Sequence, residues 1–580
     1  NTLIGGLAGD ALTTGHFNVA IGYLALSAED DHGRNVAVGK GALQLLNAGA
    51  DGYNTAVGNL AGTAMTTGTH NTILGGLAGD ALTTGGANVA IGYKTLSDET
   101  TGANNIAIGY EAMSSSQLSQ LNIAIGQQAL QNVTNSSIKN TYNIGIGPQA
   151  GNDVTIGEKN ILIGAFSGDA ITEGLHNVAL GYATLGANVD SDKNVAIGSN
   201  ALAAMTGTAG DTYNVAVGYD AGKAITTGTL NTIIGGLAGD AITTGTDNVA
   251  VGYESLSKNV DGDKNVALGN YALQDFEADT DGHGSNTAVG YTAMMECTTG
   301  TLNTAVGALS LGNGVLTGDA NVALGYKSGY ALSGGSANTA VGYETLMTEN
   351  GHGLNVAIGY RALRLQDAGA DAFNVAVGFD AGTTITSGVQ NTIMGGRAGD
   401  ALTTGIENVS LGYLTLSAED TGSYNTAIGT AALKVQDGGA SNVAVGRDAG
   451  RSITTGSNNT IVGANAGDAL TTGANNIIIG KNAAASAVGV NNETVIGTTT
   501  TTSALVHGLK QPVIAASANV AAAAAFPNSI FNFSDADGAV VTLPDSGDGS
   551  QIGKSYEFIT TVTATSNAHQ ISLTDDSNEK

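Results

Sequence analysis

The sequence predicts an all-β fold: a parallel β-solenoid of about 29 rungs, followed by a small β-sandwich-like domain. Three observations predict it. A five-residue motif, Asn followed by three residues and Gly, recurs 29 times between Gly5 and Gly497. Twenty-two of the 28 spacings between its glycines are 17 residues, and the other six are 18 to 21. The composition suits thin stacked turns, with 87 Gly among 580 residues, 4 Pro and no Trp. Units this short cannot bury a core alone and must stack on one another.

Each column of the motif has its own reason. The second position is always Thr, Val or Ile and the fourth is always Ile, Val, Leu or Met, which reads as a short strand. Alternation puts these two on one face and Asn with the third residue, Ala in 19 units, on the other. The branched face is expected to fill the roll, leaving Ala as a continuous outer row. Asn, represented by Asn18, Asn88, Asn248 and Asn408, is expected to form a hydrogen-bonded ladder between rungs. Gly at the fifth position, represented by Gly22, Gly92, Gly252 and Gly412, ends the strand because it reaches positive φ without strain.

A second short strand is expected at stretches such as Ala25-Leu26 and Ala42-Leu43, and a Thr-Thr-Gly turn such as Thr13-Thr14-Gly15 closes the unit. With strands about 4.8 Å apart, 28 steps make a rod on the order of 135 Å long. An outer Ala row implies an interface, most simply in a homotrimer about the rod axis. A wider three-sided monomer that buries the row itself is the alternative.

A longer order lies above the rung. Gly-Gly-x-Ala-Gly-Asp units start at Asn1, Asn71, Asn231 and Asn391, with a variant at Asn160, and a Gly-Tyr rung follows each. These rungs carry Tyr23, Tyr93, Tyr182, Tyr253 and Tyr413, and Tyr343 fits the same series. Stacking would put the six tyrosines at one azimuth, where exposed rings suit sugar binding; covering the edge of the roll is the structural alternative. Five of the six long spacings follow an Ala-Leu rung, so the insertions should project as loops from one side, a usual place for binding.

The run Asn18-Val19-Ala20-Ile21-Gly22-Tyr23-Leu24-Ala25-Leu26, with its Thr-Thr-Gly turns, resembles two repeat groups. One is the YadA-like head of trimeric autotransporter adhesins. The other is the repeat array of phage tail fibres and other virion fibres. The likeness covers about residues 1–497 and implies a trimeric left-handed parallel β-roll, acting as a surface fibre or attachment head. The 17-residue period is longer than that of the adhesin head, and neither a coiled-coil stalk nor a membrane-anchor barrel is seen, which favours the virion fibre. The implied function is structural reach and attachment to a host surface, with a cell-surface glycan or protein as receptor and other virion proteins as partners. The alternative is the head of a bacterial adhesin; a polysaccharide-cleaving tailspike ranks below both. The implied place is the virion surface or the extracellular space. Asn1 opens inside a unit, so a preceding region is expected.

Composition shifts after Gly497. A Thr/Ala-rich linker, with a linker or short helix over 515–525, is expected over residues 498–528, and a small β domain over 529–580. Strand-like runs there are Ile530–Phe533, Ala539–Leu543, Ser555–Val562 and Gln570–Leu573.

Chemistry is sparse. A net charge of −29 excludes a phosphate-backbone binder, because phosphate neutralisation needs many Lys and Arg. No catalytic residue, metal site or cofactor is predicted. Asp279-Thr280-Asp281-Gly282 and Asp535-Ala536-Asp537-Gly538 resemble openings of calcium loops but lack the acidic twelfth residue. Glu29, Asp30 and Asp31, and likewise Glu277, Asp279 and Asp281, are neighbours in a loop rather than carboxyls facing each other across a cleft. Cys297 is the lone thiol and is expected to pack quietly.

Overall fold

A computed structural model describes residues 1–207, 210–277 and 283–500, and six strands beyond them. The contact pattern divides the chain into Asn1–Thr498 and Thr499–Lys580. The first unit is a β-solenoid. Its 29 three-residue strands, from Thr2–Ile4 to Thr494–Ile496, form one parallel sheet. Each strand is the second to fourth position of a motif and pairs in register with the next, as Val249, Ala250 and Val251 pair with Val266, Ala267 and Leu268. No helix occurs among the described residues.

The sheet faces the opposite way from the sequence expectation. The middle residue is inside: Ala20, Ala90, Ala250 and Ala427 are fully buried. The branched residues on either side of it are only half-buried or exposed. Asn decides the matter, because it shares the Ala face and its amide is committed to buried backbone. The backbone N–H of each motif Asn donates to the Oδ1 of the Asn one rung earlier, without a break from Asn1 to Glu493. Most of these amides also donate through Nδ2 to a carbonyl 14 residues on, as Asn248 does to Gly262 at 2.9 Å. Buried amides so satisfied are favourable only inside, and Ala follows them in.

The strand-ending Gly is required twice over. Gly252 has φ +139°, and a Cβ there would lie 2.5 Å from the carbonyl oxygen of Gly269 in the next rung. The stretch after it is a turn, not the expected second strand. Leu24 and Leu26 both have positive φ, at 57° and 52°. Their N–H groups point alternately along the stack: Leu24 donates back to Gly6 at 3.0 Å and Leu26 forward to Ala42 at 2.9 Å. The inter-rung ladder thus continues through a segment no extended strand could form.

Two interior columns explain the longer order. In the Gly-Gly-x-Ala-Gly-Asp rungs the middle strand residue is large: Leu3, Ile73, Ile233 and Ile393, with Leu162 in the variant. Six residues later each of these rungs has Gly. A Cβ on Gly239 would meet Ile233 at 3.0 Å, and one on Gly168 would meet Leu162 at 2.8 Å. In most Ala rungs that place holds Leu or Met, as Leu26 and Met113 do, and where it holds Gly, as at Gly62, side chains of the neighbouring rungs such as Leu43 and Ile73 reach in. The second column is the corner seven residues after the motif Gly. Leu46, Met65, Leu82, Ile171, Ile225, Ile242 and Leu402 fill it and are fully buried. In the six Tyr rungs this corner is polar instead, with Glu29, Glu99, Asn188, Asn259, Glu349 and Glu419, all fully buried. Glu29 therefore belongs to a regular 17-residue rung rather than an inserted loop.

Among the insertions, Thr134–Asn140 pairs in parallel with Gln117–Gln120, and Gly210–Asp211 with Ser191–Asp192. In the second unit, Val513–Ala516, Ile530–Phe533 and Glu557–Thr560 form one parallel sheet, and Val520–Ala521, Val540–Leu543 and Gln570–Leu573 another. The first strand of each sheet lies in the stretch expected to be linker or helix. β-branched Val513, Ile514 and Val520 give the local reason. The Asp279–Gly282 and Asp535–Gly538 turns lie outside the described residues.

Candidate functional site

Two outward surfaces are candidates, both produced by the rung geometry. The first is the outer face of the long sheet. With Ala and Asn turned inward, each rung presents its fourth-position aliphatic to the outside. Val57, Ile234, Val306 and Ile358 are each 38% exposed. The rungs repeat at about 4.8 Å, so these side chains form one uninterrupted apolar row. The row predicted for Ala exists, but it is built of Val, Ile and Leu.

The second surface is the column immediately after the motif Gly, where the chain turns the corner and the side chain projects. Tyr23, Tyr93, Tyr182, Tyr253, Tyr343 and Tyr413 all stand in it, between 39% and 56% exposed. Four of the rings lie over the second glycine of the Gly-Gly one rung earlier: a Cβ on Gly6 would press on the Tyr23 ring at 3.3 Å, whereas one on Gly396 would touch Tyr413 at an ordinary 3.5 Å.

The six tyrosines are not equivalent. Tyr343 stacks between Tyr326 and Tyr360, at 5.5 and 5.1 Å between ring centres, and Tyr360 stacks on Phe379 at 5.1 Å. Those faces are closed to another ring, so Tyr343 offers only an edge. Tyr93 stacks on Tyr110 at 5.8 Å, while Tyr182 and Tyr253 meet Phe166 and Tyr271 edge-on. Among the described residues, no ring packs on Tyr23 or Tyr413. Sequence reasoning missed Tyr110, Tyr326, Tyr360 and Phe379, although each also directly follows a motif Gly.

Local charge tunes these rings. The Glu254 carboxylate accepts a hydrogen bond from the Tyr253 phenol, which raises that phenol above its ordinary value; Glu344 does the same to Tyr343. Burial alone would raise Glu344. The Tyr343 hydroxyl, with Arg361 at 3.2 Å and Arg364 at 3.0 Å, outweighs burial and lowers it. Arg361 also lies 4.9 Å from the Tyr360 ring centre, a cation–π contact. No family model, curated protein or solved structure matches the chain.

Proposed function

We propose that this chain is the shaft of a surface fibre, a non-enzymatic homotrimer in which the outer aliphatic row of each copy is covered by the others. The observation that carries the reading is that row together with the unbroken Asn ladder beneath it. The ladder gives stiffness over the whole solenoid, and a continuous exposed apolar stripe is uncommon on a soluble monomer. Attachment to a cell surface, through a glycan or protein receptor, is assigned to the aromatic column, with Tyr23 and Tyr413 as the rings that have open faces. A virion fibre at the virion surface suits the long solenoid and its 17-residue period. The left-handed trimeric roll and a sandwich-like C-terminal domain belong to the same reading.

A glycan array probed with labelled full-length chain tests the attachment part. Binding to a glycan class that falls at least tenfold in a Tyr23→Ala, Tyr413→Ala double variant supports it. Binding that is unchanged by the double variant, or absent from the array, removes the aromatic column from the glycan-binding role.

A further inference from the structure

The polar corners of the six Tyr rungs differ in how they close their turn. In four of them the corner oxygen accepts the backbone N–H three residues on: Glu99 from Gly102 at 2.7 Å, Glu419 from Gly422 at 2.5 Å, Asn188 from Ser191 at 3.1 Å and Asn259 from Gly262 at 3.0 Å. Glu99 is saturated, taking further N–H groups from Thr100, Thr101, Leu118 and Ser119. The other two corners carry His at the third place, His32 after Glu29 and His352 after Glu349. There the N–H contact loosens to 3.3 and 3.2 Å.

The imidazoles turn in toward the carboxylates without bonding to them. The Nδ1 atoms of His32 and His352 lie 3.7 and 3.6 Å from Oε1 of Glu29 and Glu349. That is too long for a hydrogen bond. Both Nδ1 atoms are nonetheless buried without a hydrogen-bond partner, and so is Oε2 of the fully buried Glu349, as at the His-free Glu419 corner, whereas Oε2 of Glu29 accepts the Ala48 N–H at 3.4 Å. An unpaired buried acceptor of this kind is costly unless something satisfies it. A second carboxylate closes each group: Asp367, from the next rung, beside Glu349 and His352, and Asp30 beside Glu29 and His32. The ligand atoms of each group lie within 4.8 Å of one another.

We infer that the Glu349–His352–Asp367 corner binds one divalent transition-metal cation of the zinc class. Two ligands on such an ion stand roughly 3.4 Å apart when the bonds are about 2.1 Å and tetrahedral, close to the His–Glu separations found here. One imidazole and two carboxylates favour zinc-like ions over calcium or magnesium, which prefer oxygen alone. Two carboxylates and a neutral imidazole also balance the ion's charge. The cation would replace the turn-closing N–H contact that Gly makes at the Glu99 and Glu419 corners. At Glu349 it would also staple one rung to the next. A cleft lined by Gly335, Ser336, Gly351 and Gly353 adjoins the same turn.

Equilibrium dialysis of the full chain against micromolar ZnCl2, with MgCl2 in parallel, tests this. The expected result is one Zn2+ bound per chain and no Mg2+. His352→Gln removes it, with circular dichroism unchanged. His32→Gln, at the corner where both Glu29 oxygens already accept N–H groups, leaves the stoichiometry intact. Zinc is also expected to raise the thermal midpoint of the wild type but not of His352→Gln. No zinc retained by the wild type, or zinc retained equally by His352→Gln, overturns the proposal and leaves the corner a simple Glu–His pair.

Discussion

Val249 and Ala250 are neighbours in one strand, yet they stand in opposite environments. Ala250 is sealed against Ala267 of the next rung, on the face where the Asn amides occupy the backbone hydrogen-bonding groups. Val249 is half-buried on a face with no covering layer among the described residues. The difference shows that in a thin solenoid the polar ladder, and not residue bulk, chooses the interior. The interior of a rung holds the Asn amide, the middle strand residue, the side chain six residues after it and the corner, as Ala37, Leu43 and Leu46 do. What remains outside is an aliphatic row, which the proposed homotrimer would cover.

Breaking the inner face should cost most. Asn248→Leu deprives the backbone N–H and the side-chain amide of Asn265 of an acceptor, and the Gly262 carbonyl of a donor. A loss of about 3–6 kcal/mol is expected from buried groups left unpaired, read as a lower urea midpoint. Ala250→Val overpacks the same interior and should cost about 1–3 kcal/mol. Val249→Ala, one residue away, should leave monomer stability within about 1 kcal/mol and act on assembly instead. If the two substitutions have equal effects, the inside–outside assignment is wrong.

Most of the scaffold was legible in the sequence. The period, the Asn ladder and the role of Gly252 follow from recurrence and from φ. Period-two alternation says which residues share a face, but not which face is inside, so Ala250 and Val249 were exchanged. The polar corners were harder to see. Glu29 reads as part of an acidic run, and only alignment of all units on the motif Gly shows it standing where Leu46 and Leu82 stand. The pairing of Tyr23 with Gly6 was visible as co-occurrence; that the ring lies over the glycine needed coordinates.

The inner face also sets a pH response. Burial raises the carboxyls of Asp80, Asp169, Asp240 and Asp400 above the ordinary 3.8, and that of Glu419 above 4.5. The folded chain keeps these protons at a pH where the unfolded chain has released them. Stability should therefore rise as pH falls through the raised folded values, with the gain complete below the ordinary values, where both states are protonated. Thermal midpoints at intervals between pH 7.5 and 4 check this; a midpoint that falls over that interval would contradict the burial of these groups.

The smallest effect expected concerns Cys297. Its Sγ donates to the Gly300 carbonyl at 3.5 Å, and burial pushes the thiol up to about 12. A thiol reagent at mildly alkaline pH should label it only on unfolding. Rapid labelling of the native chain would show this corner to be open.

The most direct test of the inversion and its consequence is the mass in solution, by light scattering coupled to size exclusion. The outer aliphatic row predicts three times 57.3 kDa for the wild type, and a single chain for a variant with Asp at Val249, Val251 and Ile234. A wild-type mass of 57.3 kDa would mean that the row stands bare in water, and would contradict the interface assigned to it.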